Sequence, residues 1–352
     1  MQELSAHSQP VVVTLQKSER DLVGVGDAHR QGVSGRVGTV LAVVCPGQGS
    51  QTPAMLEPWL TLPSVREFLG ELSEASGVDL IAHGTTSDAD TIRDTAVAQP
   101  LIVASSLMAW HALTHGKTTA TPHVVAGHSV GEFAASALAG VMTNAQATAL
   151  VTHRARAMAQ AASAHATGMT AVVGGQPDDV LASIAAAGLT PANMNSPQQV
   201  VAAGSLDGIA ALQASPPARA RVIALQVAGA FHTEFMAPAQ DAFRDVARGW
   251  PVADPTLTLL SNRDGRAFTD GAHGYGRGQD MLDSLVHQIT SPVRWDLCQH
   301  TLADLGVTGV LELAPGGVLT GLAKRTLKGV ATCAISSPDD LPTAHDFITE
   351  HA

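Results

Sequence analysis

Apolar and polar positions along this chain fall into blocks that predict strands alternating with helices from residue 40 onward. VLAVVCP, residues 40 to 46, is an apolar run of strand length that ends in the turn signal GQGSQTP, residues 47 to 53. Helical spacing follows over about residues 64 to 76 and again over 95 to 115. HVVAG, residues 123 to 127, reads as a second buried strand, and VGEFAASALAG after it as a helix stopped by Gly140. A further helix is predicted from Asn144, taken as its N-cap, to about Ser163. Unbroken apolar strands between helices point to a parallel sheet covered on both faces.

The rhythm changes in the middle of the chain. Residues 168 to 228 read strand (MTAVVG), helix (PDDVLASIAAAG), strand (TPANMN), strand (QVVAAG), helix (LDGIAALQA), strand (RVIALQV). That βαββαβ order predicts a ferredoxin-like subdomain, residues 167–228, inserted into a large α/β-hydrolase-like domain of residues 39–166 and 229–345. The last dozen residues are expected to fray. Residues 1–38 are polar and Gly-rich without periodicity, so they are expected to be an unstructured or weakly ordered extension. Only four of the 20 basic residues are Lys, a GC-rich signature under which Val40 could be the genuine start. An amino-terminal sequence beginning at Met1 in natively produced protein contradicts that start.

Composition narrows the classes. With 45% apolar and 14% charged residues the chain has the makeup of a globular protein rather than a disordered one. The strongest apolar stretch, about Pro100 to Trp110, falls short of the ~18 uninterrupted residues of a membrane span. A net charge of −11 argues against wholesale nucleic-acid binding, so an acidic partner needs a local basic patch. Cys45, Cys298 and Cys333 are odd in number and lack metal or CxxC spacing, which fits a reducing, cytoplasmic setting.

Chemistry concentrates at Gly127-His128-Ser129-Val130-Gly131, a GxSxG between a predicted strand and a predicted helix. That setting lets the glycines make a tight turn that exposes the Ser129 hydroxyl, with helix N-terminal amides behind it for an oxyanion. His128 adjoins the nucleophile, but its side chain leaves the turn in another direction, toward packing or orientation. His232 lies on a loop just past a predicted strand end, where α/β sheets build sites, and is the candidate base. No Asp can be assigned as its partner; a backbone carbonyl would serve equally. The turn Cys45-Pro46-Gly47-Gln48-Gly49 could donate the Gln48 amide to an oxyanion or be an ordinary strand-helix turn. Arg154 and Met158 share a helix face, where an Arg is usually solvated. Asn193 and Asn195 occupy alternate positions of a short strand, and Gln288 sits where a helix halts before Pro292.

CPGQGSQ, GHSVGEFAA, the Arg154–Met158 pair, GAFHTEFM and LVHQITSPVRW occur in this order over about residues 40 to 335. Together they resemble the malonyl-CoA:acyl carrier protein transacylase family, above all its actinobacterial members. The resemblance implies transfer of malonyl from malonyl-CoA to a carrier-protein pantetheine thiol, by a ping-pong route through a malonyl-serine ester. It implies Ser129 as nucleophile, His232 as base and acid, and the amides of Gln48 and Val130 as oxyanion hole. Arg154 would bind the malonyl carboxylate, Gln288 would hold His232 through its main-chain carbonyl, and Phe231 would exclude branched acyl groups. Met158, His128 and Asn193 would support the site. No cofactor or metal is implied, since malonyl-CoA is a substrate and the phosphopantetheine belongs to the carrier. A cytoplasmic monomer without membrane or nucleic-acid partners is expected. Its carrier would dock through some of Arg219, Arg221, Arg263, Arg266, Lys324, Arg325 and Lys328. A thioesterase or esterase, a loader of other polyketide or mycolic-type extender units, and a catalytically silent scaffold are the competing readings.

Overall fold

The computed structural model describes residues 38–116, 121–268 and 277–352. The expected disorder of residues 1–38 and the proposed start at Val40 therefore bear on a stretch that lies, up to residue 37, outside the described residues.

The chain runs β1 (Leu41–Cys45), α1 (Pro63–Ser76), α2 (Leu80–Thr85), α3 (Thr95–Thr114), β2 (Val124–Gly127), α4 (Gly131–Leu138) and α5 (Asn144–Ser163). Then come β3 (Thr167–Gly174), α6 (Pro177–Ala186), β4 (Thr190–Ser196), β5 (Gln199–Ser205), α7 (Leu206–Ala214) and β6 (Ala220–Ala224). The last stretch holds α8 (Ala237–Ala247), β7 (Thr258–Leu259), α9 (Gly278–Gln288), α10 (Trp295–Asp304), β8 (Gly309–Glu312), α11 (Val318–Thr326), β9 (Ala331–Ala334) and α12 (Leu341–His351).

Five strands form a parallel sheet in the order β7-β2-β1-β8-β9. Alternation along β1 explains why it had to be apolar throughout. Leu41, Val43 and Cys45 pack into the larger core with α1, α3 and α5, while Ala42 and Val44 face a second core built by Trp295, Cys298, Leu302, Leu319 and Leu322. The other four strands form an antiparallel sheet in the order β4-β5-β3-β6. Val172, Val200 and Ala202 on one of its faces pack with Val180, Ile184, Ile209 and Leu212 of α6 and α7. Met169, Ala171 and Val201 on the other face line a cavity of about 230 Å³.

Several expectations need correction. α5 begins where predicted, but its N-cap is Thr143, not Asn144: the Thr143 hydroxyl accepts from the Gln146 amide and the Gln146 side chain accepts from the Thr143 amide. RVIALQV is a strand only to Ala224; Leu225 still donates to the Met169 carbonyl, and the chain then leaves the sheet. The last residues do not fray. Ala344, Ile348 and His351 recur on one face of α12 and are buried against the fold. α3 is 20 residues long and, contrary to the short apolar run read from the sequence, apolar enough to cross a membrane. Since 72% of its apolar window is buried inside the protein, it serves as the central core helix.

Candidate active site

The first strand and the Ser129 turn meet at the C-terminal edge of the parallel sheet. Cys45 pairs with Gly127 in register, so the loops after β1 and β2 leave the sheet side by side. Ser129 has φ 52°, a left-handed conformation that a non-glycine residue adopts only under constraint. Gly131 is required here: a Cβ would stand 2.2 Å from the Cys45 carbonyl oxygen. Gly47 similarly lets the first loop cross the turn, since a Cβ there would lie 2.8 Å from His128 Nδ1. A further constraint is the Asn262 side chain, which accepts the Ser129 amide at 2.7 Å and donates to the Gly127 carbonyl at 2.7 Å.

Ser129 Oγ lies 2.8 Å from His232 Nε2. His232 Nδ1 lies 2.7 Å from the Gln288 carbonyl oxygen, which can only accept. Nδ1 therefore carries the proton and Nε2 is free to take the serine's. The backbone carbonyl, one of the two partners left open by the sequence, fills the place of an acid. Like Ser129, His232 sits at positive φ (63°). Burial, reinforced by the charge of Arg154, lowers the His232 pKa to about 3, so its imidazole is neutral at pH 7 with Nε2 unprotonated.

Both residues line the cavity between the two sheets, with Gln48, His128, Val130, Met158, Phe231 and Asn193 in its wall. Among the described residues the amides of Gln48 and Val130 donate to no protein acceptor. His128 donates from Nε2 to Asn195 Oδ1 at 2.8 Å and packs edge-on to Trp295, the packing role expected of it. The side-chain oxygen of Asn193 is buried without a partner among the described residues.

Arg154 departs from the solvated reading of a helix Arg, being fully buried. It also does not itself form the cavity wall. Its Nη1 donates to Gln99 Oε1 at 2.7 Å, its Nη2 to Gln288 Oε1 at 2.8 Å, and its Nε–H has no partner among the described residues. Gln99, which does line the cavity, stands between the guanidinium and the open space. Three partners were not found from sequence: Gln99, Asn262 and the buried Glu132. Only Glu132 had a local signal, as the acidic residue directly after the GxSxG. Nothing near Gln99 or Asn262 marks them before the fold brings them 55 and 133 positions along the chain to Arg154 and Ser129.

An acyl transferase domain model matches residues 42–345. Curated relatives include the malonyl CoA-acyl carrier protein transacylase of Mycobacterium tuberculosis, 50% identical over 303 residues, 86% of this chain and 98% of the relative. The chain belongs to the malonyl CoA-acyl carrier protein transacylase family. The enzyme of this name from Escherichia coli is 33% identical over 87% of this chain and 99% of its own length. Among solved structures, that of the Mycobacterium tuberculosis enzyme superposes with a TM-score of 0.79 at 48% identity, covering 86% of this chain and 99% of that one. A malonyl-transacylase in complex with its type II acyl-carrier protein superposes with a TM-score of 0.80 at 30% identity, covering 88% and 99%. Membership in this transacylase family makes the protein an acyltransferase built on a mixed α/β fold.

Proposed function

We propose that the protein moves the malonyl group of malonyl-CoA onto the phosphopantetheine thiol of an acyl carrier protein, through an ester on Ser129, to supply fatty acid chain elongation. The observation that carries the choice of malonyl is the buried Arg154. A guanidinium sealed in the core beside an acyl cavity is costly for an enzyme of neutral acyl groups, and it fits one whose acyl group ends in a carboxylate. The Gln99 amide oxygen, an acceptor of Arg154 Nη1–H, stands where a carboxylate oxygen could pair with the same guanidinium. Phe231, buried next to His232 and in the cavity wall, is the side chain that would exclude a branched acyl group.

In this reading His232 Nε2 removes the Ser129 proton as Oγ attacks the thioester carbonyl, and the Gln48 and Val130 amides hold the oxyanion. The C–S bond breaks, and the proton passes from His232 to the departing CoA thiolate. The carrier's thiol then gives its proton to His232, attacks the malonyl-serine ester and releases Ser129 with that proton. Pairing of the malonyl carboxylate with Arg154 also offsets a charge that weakens His232, so the right substrate strengthens the base. No resident cofactor is needed. A cytoplasmic monomer meeting its carrier in solution completes the reading.

The same reading takes residues 167–228 as a ferredoxin-like insertion in an α/β-hydrolase-like domain of residues 39–166 and 229–345. The strand order β4-β5-β3-β6 supports it. The test is the partition of products when malonyl-CoA and carrier protein are supplied together. Malonyl-carrier as the main product is expected; free malonate in its place makes the protein a hydrolase.

A further inference from the structure

Glu132 is fully buried on the first turn of α4, directly behind the nucleophile, yet the transfer chemistry gives it no role. Its Oε1 accepts the Asn262 amide at 2.6 Å, and its Oε2 accepts a proton of the Gln288 side-chain amide. Each of those partners holds part of the site. Asn262 Oδ1 takes the Ser129 amide, the Gln288 carbonyl takes His232 Nδ1–H, and Gln288 Oε1 takes Arg154 Nη2–H. Nucleophile, base and guanidinium are therefore each two bonds from one carboxylate.

We propose that Glu132 is a positioning residue that fixes Ser129, His232 and Arg154 together by setting which way the Gln288 amide faces. A carboxylate offers acceptors on both oxygens, so Gln288 must present Nε2 to Glu132 and Oε1 to Arg154. A neutral amide at position 132 can accept from only one of its two neighbours. Its own NH2 then meets either the Asn262 N–H or the Gln288 NH2. If Gln288 turns to relieve that contact, its NH2 faces the Arg154 guanidinium, again donor against donor. Burial pushes the Glu132 carboxyl up to about 8, while the Asn262 amide and the Arg154 charge pull it back down. With an N–H donor facing each of its oxygens, the geometry calls for the ionised form, which then serves Arg154 as countercharge.

This role rests on the transacylase reading for its meaning, but its test does not depend on malonyl-CoA. The rate at which a fluorophosphonate probe labels Ser129 reads the nucleophile–base pair directly, and malonyl-CoA acylation is followed in parallel. Glu132→Gln is expected to slow labelling about thirtyfold, and Gln288→Glu, which sets two carboxylates together, by a similar factor. The double exchange Glu132→Gln with Gln288→Glu restores the donor–acceptor order between the two side chains and toward Asn262 N–H and Arg154. It loses the longer Gln288 Nε2–H bonds to the Ser129 carbonyl at 3.2 Å and Asn262 Oδ1 at 3.3 Å, so a partial recovery of at least about threefold is expected. Mutual rescue is not what loss of folding produces, and thermal unfolding of each variant checks that directly. Labelling of Glu132→Gln at the wild-type rate, or a double variant no faster than the singles, overturns the proposal. Wild-type protein that labels normally but takes no malonyl contradicts the transacylase reading alone.

Discussion

At the scale of single residues, the site is built from charges and polar groups that have been taken out of water. Arg154→Ala should slow acylation by malonyl-CoA by a factor corresponding to about 2–5 kcal/mol while changing acetyl transfer little. Equal losses on the two thioesters, measured as single-turnover rates, contradict its role at the carboxylate. His232 offers a second test through its low pKa. The unfolded chain binds a proton here below about pH 6.5, the folded chain only near pH 3, so stability falls as pH drops through that window. His232→Gln should therefore lose about 2 kcal/mol less than wild type between pH 7 and pH 5 in urea unfolding. Identical acid sensitivity in the two proteins contradicts a buried neutral imidazole. Ser129 and His232 were legible because a short motif and a loop position announce them. Gln99, Asn262 and the burial of Arg154 were not, since a helix face looks the same in sequence whether it meets solvent or a second helix.

At the scale of elements, the turn between β2 and α4 presents the Ser129 hydroxyl to His232, and close backbone approach makes the turn. Gly131→Ala would push a methyl into the Cys45 carbonyl, so β1 and α4 must separate. The expected result is a lower Tm together with at least tenfold slower Ser129 labelling, an estimate from the cost of overpacking a filled core. A variant that keeps both wild-type values contradicts the contact. Element identity was read well where apolar period and punctuation agree, as in β1, β2, α5 and the βαββαβ stretch. It was misread where tertiary contacts decide. α12 looks like a fraying tail until β8 covers its Ala344–Ile348–His351 face, and β6 stops at Ala224 because the chain turns away toward His232.

At the scale of the whole molecule, the cavity exists because one face of the antiparallel sheet stands over the loops that follow β1 and β2 of the parallel one. Met169, Ala171 and Val201 of the antiparallel sheet face the loops of the parallel one, and α11 closes the side with Val318, Leu319 and Leu322. Lys324, Arg325 and Lys328 stand exposed at the far end of that helix and just beyond it, a local basic edge on an acidic protein. Transfer to carrier protein should therefore weaken with added salt more steeply than transfer to free pantetheine. Parallel salt curves for the two acceptors would remove that edge from consideration. Intact-protein mass after brief exposure to malonyl-CoA reads the covalent relay itself. One malonyl adduct, absent from Ser129→Ala and discharged when carrier protein is added, is the predicted result. An adduct that persists in Ser129→Ala, or one that carrier protein cannot discharge, contradicts the account.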